Sequence, residues 1–186
     1  MGSTREAGRS RFGLPADGPV LAVFGALAGA RSLNELAVEA WGEQGPAVLH
    51  LCGARDYPEL RPRVDREDYV LLPHTDHFGD ALAAADLAVS RAGGTVWELA
   101  ASGLPAVLVP YPHATADHQA LNARHFERGG GVIVVPDHDL RRVPALVADL
   151  LADRRRLVEL RASMLALARP HAAAEIAEEL IRLAAT

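Results

Sequence analysis

The chain has no lysine: all 19 basic side chains are arginine. A GC-rich coding sequence explains that bias more simply than any arginine chemistry. Aromatic residues make up only 5%, and 24 acidic side chains leave a formal net charge of −5. A nucleic-acid surface needs basic patches and stacking groups, so neither charge nor composition supports one. The single cysteine, Cys52, excludes an internal disulfide and any cysteine-based zinc site. No apolar run approaches the length needed to cross a bilayer. The opening Met-Gly-Ser-Thr-Arg-Glu lacks the apolar core of a secretory signal, so the expected location is the cytoplasm. Hairpin signals such as Asn-Gly are also absent, which argues against an antiparallel sheet.

What is present is an alternation of short apolar runs and helical periods over 186 residues, enough for one well-packed domain and few for two. Residues 1–12 are expected to be a charged lead-in or an expression remnant, and residues 13–186 the domain. Strands are expected at Val20–Phe24, Ala47–Cys52, Tyr69–Leu72, Leu87–Ser90, Ala106–Val109 and Val132–Val135. Helices are expected at Arg31–Trp41, Phe78–Ala85, Thr95–Ser102, Asp117–Arg128, Val143–Asp153, Arg155–Ala168 and Ala172–Leu183. Pro58 and Pro62 leave room for a short helix at most between residues 53 and 64. Every connection between strands is long enough for a crossover. The pattern therefore predicts an α/β fold: a Rossmann-like three-layer sandwich with a six-stranded parallel sheet and helices on both faces. Ligands of such sheets sit beyond the carboxyl ends of the strands. The loops opening at Gly25, Gly53, Pro73, Arg91 and Pro110 are thus the ones to inspect.

The stretch around residues 90–122 dominates. A strand ends at Ser90, Gly93 and Gly94 make a turn, and a helix begins at Thr95. Such a corner aims unpaired amides and the positive end of a helix dipole at one point, which attracts phosphate. Duller readings exist for each residue. Thr95 and Glu98 have the spacing of a capping box, while Glu98 could equally grip vicinal hydroxyls of a ribose. Any tight strand-to-helix turn could use the glycine pair, and Gly25 fits close strand–helix packing better than phosphate contact. Gln119 and Asn122 share a helix face, either toward solvent or toward sugar hydroxyls. His74, His77, His113, His118 and His125 show no metal-ligand spacing, so no metal is expected. Trp41 and Trp97 read as core or rim fillers.

Ser90-Arg-Ala-Gly-Gly-Thr-Val-Trp-Glu98, running on to Pro110-Tyr-Pro-His113 and then Asp117-His-Gln-Ala-Leu-Asn122, closely resembles the carboxyl-terminal half of the MurG family of glycosyltransferases. Gly29-Ala-Arg-Ser-Leu-Asn34 is similar to the segment that opens that family's second domain. The resemblance covers the chain from about Phe12 onward. It implies one half of a GT-B fold, holding UDP-N-acetylglucosamine for transfer to lipid I to give lipid II in peptidoglycan synthesis. By that resemblance Gly93, Gly94 and Thr95 form the diphosphate turn, Glu98 takes the ribose hydroxyls, and Gln119 and Asn122 meet the N-acetylglucosamine ring. Thr75 falls where the family's backbone contacts uracil. Arg91, His118 and Gly25, on the same loops, complete the expected substrate contacts.

Two departures stand out. Gly25, Ala26 and Leu27 occupy the family's usual Gly-Gly-Ser, so a phosphate-directed hydroxyl is missing, and the turn from Arg91 to Glu98 is one residue shorter than in many relatives. The family's first domain, with its acceptor surface and proposed base, has no counterpart here. The resemblance thus implies no catalytic residue in this chain, no cofactor, and an amino-terminal acceptor domain as partner. The whole enzyme would be peripheral on the cytoplasmic face of the inner membrane. A truncated transferase is one expectation; a non-catalytic nucleotide-sugar-binding subunit of a two-subunit transferase is the alternative. A sugar-nucleotide epimerase of related fold would again require a second domain.

Overall fold

A computed structural model of the protein describes residues 3–25 and 29–184. Six strands, β1 (Val20–Phe24), β2 (Ala47–Leu51), β3 (Tyr69–Leu72), β4 (Leu87–Ser90), β5 (Ala106–Leu108) and β6 (Val132–Val134), form one parallel sheet in the order β3-β2-β1-β4-β5-β6. All five residues of β1 are buried, as a central parallel strand covered on both faces must be. Around the sheet run α1 (Arg5–Phe12), α2 (Arg31–Trp41), α3 (Tyr57–Leu60), α4 (Phe78–Ala84), α5 (Val96–Ser102), α6 (His118–Arg128), α7 (Val143–Ala152), α8 (Arg154–Leu167) and α9 (Ala172–Ala184).

Alternation along the strands divides the core in two. Val20, Ala22 and Phe24 face one cluster, shared with Ala81 of α4, Leu99 of α5 and Phe126 of α6. Leu21 and Val23 face the other, with Leu33 and Ala37 of α2, Leu60 of α3 and Val147 of α7. This confirms the Rossmann-like sandwich, and the order of strands is the doubly wound one, reversing direction between β1 and β4. The expected elements recur with ends moved by a residue or so. Gly103 shows why α5 stops where it does: at φ 65° it adopts the left-handed turn, and its N–H bonds back to Leu99 and Ala100.

Residues 5–12 differ from the expected lead-in, for they form a helix. Thr4 accepts from the Ala7 amide, and Gly13 closes the far end at φ 66°. Gly8 lets α1 lie directly on α4, since a Cβ there would fall 2.4 Å from the Asp80 carbonyl. Arg9 is buried, and its guanidinium donates to the carbonyls of Ala84, Pro15, Ala16 and Gly18 and to the Asp86 carboxylate. Asp86 also accepts from the Val20 amide and pairs with Arg5. So α1 is bonded to the amino edge of the sheet.

A second buried polar chain crosses the other half. His50 on β2 is wholly inaccessible; its Nδ1 lies 2.9 Å from Tyr69 Oη and its Nε2 3.0 Å from Asn34 Oδ1. Because the Asn34 amide group already donates to the Cys52 carbonyl and Asp56, its oxygen must accept. The proton therefore sits on Nε2, and Tyr69 donates to Nδ1. A neutral ring satisfies this chain and a protonated one does not. Beside it, Cys52 donates to carbonyls at 3.4 and 3.5 Å, and burial pushes its thiol up to about 11.

Arg9→Ala should destabilise the domain by roughly 3–5 kcal/mol, because it leaves Asp86 and the loop carbonyls without their cation, and urea unfolding measures this. Burial also pushes His50 down to about 3 from an ordinary value of 6.5. Its folded pKa is depressed, so between those limits the unfolded chain binds a proton that the native chain does not. Stability is thus fully present above the unfolded pKa and declines as pH falls below it, by up to about 1.4 kcal/mol per pH unit. Asp56, held below the usual carboxylate range by its bond to Arg55, adds loss in the same direction only at lower pH. Urea titrations between about pH 7 and 4.5 should show the slope, and His50→Gln should flatten it.

Candidate functional site

Where strand order reverses, the loops leaving β1 and β4 part and open a crevice beyond the carboxyl ends. A cleft of about 300 Å³ lies there, walled by Phe24, Gly25, Gly53, Thr75, Thr95 and Glu98. Four separate segments of the sequence thus converge on one edge. A larger groove, about 930 Å³, runs along α4, α5 and α8; it shares Glu98 with the cleft but lies off this edge.

The corner after β4 has the geometry of an anion site. The carbonyls of Gly93, Gly94 and Thr95 accept from the first turn of α5, whereas the amides of the same three residues have no acceptor among the described residues. Neither glycine has a positive φ, and a Cβ built on either meets nothing within 4 Å. The fold itself therefore does not require glycine here, contrary to the reading in which a tight turn alone would. What bare glycine does provide is open access to three amides at the positive end of a helix. Gly25 is the opposite case. A Cβ there would fall 2.5 Å from Ala30 Cβ and 2.8 Å from Ala30 N, so packing at the entry to α2 demands glycine. Ala26 and Leu27 lie outside the described residues.

The capping box is not formed. Thr95 is itself helical, at φ −56° and ψ −18°, with no side-chain cap, and the Glu98 amide bonds to the Thr95 carbonyl instead. A capping threonine needs extended backbone, which the tight turn does not allow. Glu98 is exposed at the lip of the cleft. Thr75, on the opposite wall, uses its hydroxyl to accept from the His77 amide, which closes the loop after β3.

Arg91 departs from its expected place among the ligand contacts. It is buried, and its guanidinium donates to the carbonyls of Val109 and Pro110, to Asp137 at 2.6 Å and to Ser32 at 2.7 Å, while stacking on Tyr111. A buried guanidinium must find acceptors, and these come from the loops after β5 and β6 and the start of α2. Arg91 therefore ties the edge together from beneath. Ser32 lies in the Gly29–Asn34 segment, which carried no role for it, and Asp137 lies in no run that marks it; only proximity in the fold connects them.

Gln119 and Asn122 are each half engaged. Gln119 Oε1 accepts from the Tyr111 amide at 2.9 Å, and Asn122 Nδ2 donates to the Ala92 carbonyl at 3.1 Å. That leaves the Gln119 NH₂ as a donor and the Asn122 oxygen as an acceptor. His118 Nδ1 donates to the Thr115 carbonyl at 2.8 Å, so Nε2 of the neutral ring is an acceptor. The chain enters α6 through Ala116 and Asp117, both left-handed at φ 50° and 57°. Such backbone costs on the order of 1–2 kcal/mol per residue. Trp97 packs on Phe126 and His125 at the rim, and Trp41 is core. Among the described residues no three His, Cys, Asp or Glu side chains gather as a metal site.

Residues 20–180 match the glycosyltransferase family 28 C-terminal domain. The UDP-N-acetylglucosamine--N-acetylmuramyl-(pentapeptide) pyrophosphoryl-undecaprenol N-acetylglucosamine transferase of Chlorobium phaeobacteroides is 40% identical over 95% of this chain and 50% of its own length. The enzyme of the same name from Rhodococcus opacus is 41% identical over 97% of this chain and 49% of its own. The crystal structure of Acinetobacter baumannii MurG superposes with a TM-score of 0.78 at 26% identity, covering 89% of this chain and 52% of that one. The chain spans about half the length of the curated relatives it matches. With this fold, this edge and this family match together, the chain belongs to glycosyltransferase family 28, and what it carries is that family's C-terminal domain.

Proposed function

We propose that this domain binds UDP-N-acetylglucosamine as the donor half of a transferase that converts lipid I to lipid II. The observation that carries the reading is the trio of amides at Gly93, Gly94 and Thr95 that meet no acceptor among the described residues, with no steric reason for glycine at the first two. These amides take the diphosphate. Glu98, across the lip from Thr75, accepts both ribose hydroxyls, and uracil lies against the Pro73–Thr75 backbone. The Gln119 donor and the Asn122 acceptor match hydroxyls of the sugar, which offer both kinds of partner.

In the reaction the C4 hydroxyl of the muramoyl sugar attacks the anomeric carbon as the bond to the β-phosphate oxygen breaks, with inversion. The hydroxyl proton goes to a base outside this chain, and UDP leaves with the bonding pair. Amides fixed before the reaction stabilise that developing charge without reorganising. The acceptor belongs to a second, amino-terminal half. One surface suited to that half is α9, which buries none of its residues and exposes Ile176, Leu180 and Ile181. No helix among the described residues is long and apolar enough to cross a membrane. By the family resemblance, the reading puts the whole enzyme on the cytoplasmic membrane face as a peripheral protein.

Calorimetry with UDP-N-acetylglucosamine, UDP-glucose and UDP tests the proposal. UDP should bind, and Glu98→Ala should weaken it by about 1–3 kcal/mol, the worth of hydrogen bonds to a charged group. Unchanged affinity would remove Glu98 from the site. Gly93→Ala separates fold from function: its thermal stability should stay within about 1 kcal/mol of wild type. Its UDP affinity should nevertheless drop by about tenfold or more as the new methyl meets the diphosphate.

A further inference from the structure

The buried chain Tyr69–His50–Asn34 does not end in the core. Asn34 Nδ2 donates to the Cys52 carbonyl at 2.8 Å and to Asp56 Oδ2 at 2.9 Å, and Asp56 in turn receives Arg55 at the surface. Both acceptors of Asn34 lie in the loop that follows β2. That loop includes Gly53, part of the cleft wall. The Gly53 amide then donates to the Pro73 carbonyl at 3.0 Å, which continues the linkage into the loop bearing His74 and Thr75. A single unbroken path of hydrogen bonds thus runs from the interior of β2 to the far wall of the cleft.

Three observations argue that this path locates the wall rather than merely filling space. An apolar side chain at His50 would strand the buried Asn34 Oδ1 and Tyr69 Oη that the ring now satisfies, so the members of the path depend on one another. The path is completely satisfied, as no buried side-chain nitrogen or oxygen among the described residues lacks a partner. Fully satisfied buried networks hold one arrangement against alternatives. Finally, the segment leading into α2 approaches this loop as closely as backbone allows: a Cβ on Gly29 would fall 2.2 Å from the same Cys52 carbonyl that Asn34 holds.

We propose that Asn34 is a positioning residue for the base-side wall of the nucleotide site, fixing through Cys52, Asp56 and Gly53 where the Pro73–Thr75 backbone meets the nucleobase. This rests on the donor-site reading above. Asn34 touches no ligand; it sets the separation between the loops after β2 and β3. Loss of its amide therefore blurs discrimination between bases more than it reduces binding of the diphosphate.

The test compares UDP with CDP, whose bases differ at the edge the wall reads, by calorimetry on wild type, Asn34→Ala and Asp56→Ala, with thermal unfolding in parallel. Wild type should prefer UDP, and the UDP-to-CDP affinity ratio should fall about fivefold in folded Asn34→Ala, the factor equivalent to about 1 kcal/mol. Asp56→Ala removes one of the two acceptors through which Asn34 holds the loop after β2 and keeps the His50–Asn34 and Asn34–Cys52 bonds, so it should lower the ratio in the same direction. It decides the matter if Asn34→Ala does not fold. Equal losses for both nucleotides, an unchanged ratio, or failure of both variants to fold overturns the proposal, since the path then supports the fold and not the wall. Wild type binding both nucleotides equally overturns it as well. Wild type binding neither overturns the donor-site reading itself, and this inference with it.

Discussion

The shape of the carboxyl edge depends on the burial of one cation. Arg91 enters the interior directly after β4, and desolvating a guanidinium is tolerable only where acceptors surround it. They come from Ser32, Val109, Pro110 and Asp137, that is, from three other parts of the chain. Withdrawing any loop would leave charge or carbonyl unmet, so the loops hold one another in place. The glycine corner above Arg91 inherits this rigidity. Its own amides meet no acceptor among the described residues, while the side chain below ties the turn to three loops.

The first turn of α2 shares in this constraint. Ser32 reaches toward β4 and Asn34 toward β2, so two residues two positions apart in the first turn of α2 tie both halves of the doubly wound sheet to one helix start. Under the donor reading, phosphate-directed backbone and base-directed backbone are then held in a fixed relation across the crevice. The walls owe their placement to directional polar bonds, and the apolar clusters beneath supply most of the burial.

Much of the architecture was legible in the sequence because the signals are local. Apolar runs such as Val20–Phe24, crossovers too long for hairpins, and glycines after Ser102 and Arg128 all report on their immediate neighbourhood. The location of the glycine corner was legible for the same reason. Helix α1 was not, because Arg-Glu-Ala-Gly-Arg-Ser-Arg-Phe offers no apolar period. It is held by a buried arginine bonded to loop carbonyls, a signal visible only after folding. The unformed capping box of Thr95 and the inward turn of Arg91 were not legible for a related reason: a motif gives residue spacing, whereas backbone angle and direction of burial are settled by the surrounding chain. The Ser32, Asn34 and Asp137 contacts cross 59, 18 and 46 positions respectively, beyond the reach of any local pattern.

The corner of Gly93 and Gly94 is built from main chain, which every sequence possesses and no point substitution can readily diversify. Under the donor reading, evolution could not retune the diphosphate grip by exchanging side chains there; it could only keep the site or lose it. Any drift toward a different sugar or base must then occur at the periphery, in the few positions such as Thr75, Gln119 and Asn122 where chemistry is carried by replaceable groups. A fixed anchor with an editable rim is a form that lets one ancestral pocket give rise to many donor preferences.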